Sequence, residues 1–413
     1  MKLKQFEIIF GNPERAYFAG QEVSGKILLE LEEEKQINEI LLELKGRAKT
    51  YWSKHSGKSK THCTQSEPYF CEQFNTKFTH SFEKKINAKN TERTIPKGIH
   101  EIPFSYTLPK NLPTSFEGEY GFVRYTCRAI CERPWDFDIV SVCPFTVIGI
   151  EDINHESEAM EPASASETNR KVSFCCRRQG IIHVELQLNR TGYTPGENIL
   201  VNAVINNETQ KNIKSSSVRL RQNVNYKAKT FLGVEYTKNM NKVITQIEKG
   251  EIPQNSEFKW NNDVIQIPAL PPRLTKCNII VINYCIEIEV DTVTINIPIF
   301  IGTIPRISDI VNKLSMSVNE APFPIQVTVT DDSGNVTTPK KDDTDLISEE
   351  TEALILSKKR VRMPSSILSE LYPTLPSPYY RESYFGIIDI AEEKESIQYG
   401  NTRYAPKYPF YKD

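Results

Sequence analysis

The sequence has no apolar run approaching the ~18 residues of a membrane-spanning helix, so no helical span is expected. Its start, Met1-Lys-Leu-Lys-Gln-Phe, is charged but leads into no apolar stretch, and no secretory leader is expected. Catalytic signatures are missing too. There is no G-x-S-x-G elbow, no phosphate-binding glycine loop, no G-x-G-x-x-G and no H-E-x-x-H, and six histidines fall at no motif spacing. Neither an enzyme nor a cofactor is expected. Net charge is almost nil, with 51 Lys plus Arg against 53 Asp plus Glu, which argues against a wholly basic nucleic-acid binder. Apolar residues make up 38%, below the usual ~45–50%, as if part of the chain had no core. The nine cysteines are odd in number and scattered, and read as reduced thiols of a cytosolic protein.

What the sequence does have is period-two patterning. Phe6, Ile8 and Phe10 alternate with mostly polar neighbours, a turn follows at Ala19-Gly20-Gln21, and Val23, Gly25, Ile27 and Leu29 alternate again. The same grammar returns with Ile182, Val184, Leu186 and Leu188, the turn Thr194-Pro195-Gly196-Glu197, and then Ile199, Val201, Ala203 and Ile205. A shift of 176 residues pairs Phe6 with Ile182, Tyr17 with Tyr193, Gly20 with Gly196 and Leu44 with Leu220. A one-residue slip would turn each strand inside out, so the conserved phase is the informative quantity. Later, at a shift of 159, Val123-x-Tyr125 meets Ile282-x-Tyr284, which places 17 extra residues between Trp52 and Tyr106 of the first half. The Ser/Lys/His/Thr-rich stretch 53–65 lies there and reads as loop.

Short strands punctuated by Pro and Gly predict an all-β chain of two tandem β-sandwiches, 1–150 and 171–305. The stretch 151–170 is acidic and reads as a linker. Residues 306–413 are polar, then rich in Pro, Tyr and Ser, and are expected to be disordered because they bury too little apolar area of their own.

Few side-chain groups suggest chemistry. His55, His62, Cys63 and Cys71 are the nearest thing to a zinc set, but they lack paired ligand spacing; an ordinary solvated loop is the preferred reading and no metal is expected. Cys175-Cys176 before Arg177-Arg178 reads as a strand-edge pair rather than a reactive or lipidated site, and Cys127 and Cys131 as core. Lys54, Lys58 and Lys60 read as surface lysines rather than a phosphate site. The tail carries the strongest signal. Pro378-x-Tyr380 and Pro406-x-Tyr408 are degenerate forms of the Pro-Pro-x-Tyr ligand of WW domains, in which proline pre-sets an extended helix and tyrosine fills a pocket. Two weak sites on one chain gain from effective concentration.

The phrases Tyr17-Phe-Ala-Gly-Gln-Glu-Val-Ser-Gly25, Ile102-Pro-Phe-Ser-Tyr-Thr-Leu-Pro109, Leu112-Pro-Thr-Ser-Phe-Glu-Gly118, Arg133-Pro-Trp-Asp-Phe-Asp138 and Gly192-Tyr-Thr-Pro-Gly-Glu197 resemble the α-arrestins, or arrestin domain-containing proteins. The resemblance spans roughly residues 1–305, and in the tail only the Pro/Tyr motifs. It implies two arrestin-type immunoglobulin-like sandwiches and a cytosolic adaptor without catalytic activity. Such an adaptor would bind cytoplasmic tails of receptors or transporters and recruit WW-domain HECT-type ubiquitin ligases through Pro378, Tyr380, Pro406 and Tyr408. It would serve endocytosis and endosomal protein transport, associating peripherally with the plasma membrane and endosomes. A ligase-independent arrestin-fold scaffold for receptor signalling or sorting is the alternative.

Overall fold

The structure, a computed structural model, describes residues 3–57, 59–82, 84–87, 90–134, 136–172, 178–310, 329–330, 336–337, 367–373, 375–391 and 397–411. The first half supplies β1 (Gln5–Phe10), β2 (Ala16–Phe18), β3 (Glu22–Leu31), β4 (Lys35–Gln36), β5 (Glu39–Ser56), β6 (Ser59–Asn75), β7 (Lys84–Asn87), β8 (Asn90–Ile95), β9 (Gly98–Thr107), β10 (Phe116–Gly118), β11 (Gly121–Glu132) and β12 (Ile139–Ile148). Alternation decides the layers. Phe6, Ile8 and Phe10 are buried while Glu7 and Ile9 face out, and β1, β3 and β9 form one sheet with Ile8 opposite Ile27. That sheet closes on β6, β5, β11, β12 and β2, where Phe10 meets Phe145 with ring centroids 5.6 Å apart.

The second half repeats the plan with β13 (Ala163–Val172), β14 (Arg178–Leu188), β15 (Gly192–Tyr193), β16 (Asn198–Asn207), β17 (Ser216–Thr230), β18 (Glu235–Lys249), β19 (Ser256–Gln266), β20 (Ile280–Val290) and β21 (Val293–Ile301). The order β13-β14-β16-β19 makes one sheet; β15, β21, β20, β17 and β18 belong to the other. The internal repeat is structural. Gly20 and Gly196 both hold a left-handed turn, at φ 85° and 90°, a conformation that glycine adopts without steric cost. The buried Tyr125 donates its hydroxyl proton to the Pro113 carbonyl at 2.7 Å, and Tyr284 donates to Pro271 at 2.7 Å. Cys127 and Cys131 are buried, as expected, and burial pushes the Cys131 thiol up to about 12.

Three segments differ from the sequence reading. Residues 53–65 are not a loop but the far end of the β5–β6 hairpin, with Trp52 opposite Cys63 and Ser56 opposite Ser59. Much of this end is solvated on both faces, so no apolar alternation marks it. Within 151–170, expected as linker, β13 pairs along β14, and Glu151 is buried, accepting from Thr275 Oγ1 at 2.5 Å and from Arg273 Nε at 3.3 Å. The third is the tail.

Residues 307–375 make a unit of their own, whose described elements include a pair of two-residue strands, β22 (Val329–Thr330) and β23 (Val336–Thr337), and a short helix (Ile367–Leu371). Residues 376–413 belong with 1–306. There the expectation of disorder is corrected, because β24 (Tyr379–Glu382), β25 (Ile388–Asp389), β26 (Tyr399–Gly400), β27 (Arg403–Tyr404) and β28 (Lys407–Phe410) are formed. Composition counts only the apolar area a segment supplies to itself. Here the sandwiches supply the partner surface, burying Tyr404, Tyr408 and Phe410.

Candidate partner-binding surface

The two Pro-x-Tyr motifs are brought together. Tyr380 lies in β24 and Tyr408 in β28, and these strands pair antiparallel, with Tyr380 opposite Pro409 and Arg381 opposite Tyr408. Within β28, Tyr408 and Phe410 point to the same side, as residues two apart on a strand must, and cluster with Ala269. Tyr408 is 0% exposed and donates its hydroxyl proton to the Ser115 carbonyl at 3.2 Å. Pro406 is buried as well. The first motif is more open, with Pro378 and Tyr380 half-buried and Tyr379 between them exposed. Burial holds the phenols of Tyr380, Tyr404 and Tyr408 above their ordinary range, so all three stay neutral at physiological pH.

The tail crosses both sandwiches. On the first, Thr146 Oγ1 accepts from the Lys407 amide at 3.1 Å and hydrogen-bonds the Tyr404 hydroxyl at 3.1 Å, while the Asn401 amide donates to the Val142 carbonyl at 3.1 Å. Tyr399 donates to the Leu3 carbonyl at 2.5 Å. On the second, the Tyr384 amide donates to the Ala269 carbonyl at 2.8 Å and the Tyr411 hydroxyl to the Thr303 carbonyl at 2.9 Å. Gly196, at the repeated turn, abuts the Phe410 ring so closely that a Cβ would lie 2.6 Å from it. Beneath the tail, Arg124 grips Glu117 with two hydrogen bonds, 2.7 and 2.9 Å, and also donates to the Ile390 carbonyl at 3.4 Å. Burial pushes the Glu117 carboxyl up, and the Arg124 guanidinium opposes that push.

Tyr399, Tyr404 and Phe410 belong to no motif in the sequence. One signal was available, since Tyr408-x-Phe410 alternates with the period of a strand, although over too short a run to stand out. The zinc set does not converge. His62 and Cys63 are consecutive on β6 and so face opposite ways, His62 exposed and hydrogen-bonded through Nδ1 to the Tyr51 hydroxyl at 2.9 Å, Cys63 buried. Cys71 lies eight residues further along the same strand, about 26 Å at the usual strand rise. Among the described residues no group of His, Cys, Asp and Glu is placed to hold a metal ion. Cys175, Cys176 and Lys58 lie outside the described residues.

Comparison with known proteins agrees with this geometry. Residues 6–154 match the family model "Arrestin (or S-antigen), N-terminal domain", and residues 178–306 match "Arrestin (or S-antigen), C-terminal domain". The chain is 52% identical to Arrestin domain-containing protein 17 of Caenorhabditis elegans, over 100% of both chains. It is 26% identical to the Thioredoxin-interacting proteins of Mus musculus and Homo sapiens, over 73% of this chain and 74% and 75% of theirs.

Proposed function

The chain belongs to the arrestin domain-containing (α-arrestin) family, and from that premise we propose that it is a non-catalytic adaptor linking membrane receptors or transporters to WW-domain HECT-type ubiquitin ligases. In this reading the two sandwiches hold cytoplasmic segments of the cargo, and the tail recruits the ligase for endocytosis and endosomal protein transport. The protein works from the cytoplasm and is recruited to the plasma membrane and endosomes. The observation that carries the reading is the strand pair that places Pro378-x-Tyr380 beside Pro406-x-Tyr408 on the sandwich body. The half-buried first motif is the primary docking site; the second becomes available only when β28 leaves its seat, because Pro406 and Tyr408 are buried.

That same burial favours a second reading, a ligase-independent scaffold in which β28 is a permanent strand of the body. Co-purification of ligase and ubiquitination of cargo in cells separate the two. The double substitution Pro378→Ala/Tyr380→Ala removes both under the ligase-adaptor reading, with cargo binding retained. Ligase association and cargo turnover that persist unchanged in this variant would leave the scaffold.

A further inference from the structure

The turn joining β17 to β18 presents three apolar side chains to solvent in succession. Phe231 is fully exposed, Leu232 is 85% exposed and Val234 51%. The turn is closed by its own backbone, the Thr230 amide donating to the Val234 carbonyl and the Gly233 amide to the Thr230 carbonyl, both at 2.9 Å. Gly233 has φ +80° and open space around it. Nothing in that closure needs a phenyl or isobutyl group, and polar residues would serve the turn equally well. Apolar groups held out together mark a surface that is covered in use.

The surroundings identify the cover. β17 pairs with β6 through Lys229–Thr64 and Thr230–Cys63, so the turn lies beside the end of the β5–β6 hairpin. Lys227 and Lys229 are exposed on one face of this junction, and Lys60 is exposed on the neighbouring hairpin. On the other face Lys54 lies over the Tyr236 ring at 4.2 Å and Lys238 over Tyr120 at 3.7 Å. The carboxylates at hand are Glu235, 4.0 Å from Lys229, and Glu119. The result is an apolar tip within a basic collar. In these two contacts the ammonium itself sits on the ring, so the charges open to solvent are those of Lys60, Lys227 and Lys229.

We propose that this tip docks on an anionic lipid bilayer, with Phe231 and Leu232 entering the interface and Lys60, Lys227 and Lys229 meeting the lipid headgroups. Reversible membrane attachment takes an apolar insertion and a basic patch together, and both are present here. The inference gives the adaptor reading its membrane-facing surface, but it stands on lipid chemistry alone. A purified chain can therefore fail this test while still binding cargo and ligase, or pass it while binding neither.

The full chain is sedimented with phosphatidylcholine vesicles and with vesicles containing about 30% phosphatidylserine, at low and high salt. Phe231→Ser/Leu232→Ser, Lys227→Glu/Lys229→Glu and Phe231→Trp are run in parallel; these side chains are exposed, and circular dichroism checks their fold. The expected result is salt-sensitive binding to the anionic vesicles only, weakened at least about tenfold in each double variant. Phe231→Trp gains a blue-shifted emission component on the same vesicles. Absence of wild-type binding to anionic vesicles overturns the proposal, as does undiminished binding by Phe231→Ser/Leu232→Ser. So does a Phe231→Trp emission that does not move. A variant that loses cargo without any vesicle binding by the parent chain would assign the tip to a protein partner instead.

Discussion

Tyr408 is held by two kinds of interaction that mutation can separate. Its ring packs with Ala269 and Phe410, and its hydroxyl donates to the Ser115 carbonyl. Tyr408→Phe should cost about 1 kcal/mol, one net hydrogen bond, whereas Tyr408→Ala should cost about 3–5 kcal/mol through the cavity left behind. Denaturant unfolding of the two variants measures the difference. Glu117 offers a test by pH. Its carboxyl is raised by burial, so the folded state binds a proton at higher pH than the unfolded chain does, and stability falls as pH rises from the unfolded value through the folded one. Arg124 limits that loss by stabilising the charged form. Arg124→Met should therefore be strongly destabilising at neutral pH, about 3–5 kcal/mol, with the deficit shrinking as pH falls and Glu117 becomes neutral. Unfolding midpoints taken between pH 5 and 8 check the sign: a deficit that grows toward acid would contradict it.

At the scale of the element, the elements that form are those whose partner surface exists. β1 and β14 were legible because apolar alternation over four or more residues leaves one workable register. The end of the β5–β6 hairpin was not, since a ribbon with water on both faces needs no alternation, and its strand character comes from the ladder alone. β28 was illegible for another reason. Its four residues hold only two aromatic side chains, and their burial depends on Ala269, Ser115 and Thr146, far away in the sequence. Gly196→Val would strain a φ of 90° and thrust Cβ into the Phe410 ring. We expect this substitution to loosen β28 as well as the turn, which limited proteolysis would register as earlier cleavage after Lys407 than in the parent chain.

Over the whole molecule, the sandwiches are not beads on a linker. One 12-stranded sheet runs through both halves by way of β6 and β17, and Thr50 Oγ1 donates to the Lys227 carbonyl at 2.6 Å. Tyr120 and Tyr226 meet edge to face at 5.8 Å beside the same seam. The halves should therefore unfold in a single calorimetric transition, with Thr50→Val lowering its midpoint by an amount corresponding to about 1 kcal/mol. Two well-separated transitions would show that the seam is weak. Duplication and fold class could be read from phase alone; the continuous sheet could not, because it rests on four residues of lateral pairing that leave no pattern in the sequence.

The tail motifs belong to the folded body, and the proposed adaptor function requires their release for partners. Titration of a tandem WW-domain fragment with the full chain and with a free peptide of residues 376–413 tests it most directly. Micromolar binding by the peptide is expected, near −8 kcal/mol at about 1 μM, with at least about tenfold weaker binding by the full chain, in which the second motif is closed until β28 is displaced. Equal affinities for the full chain and the peptide would contradict it.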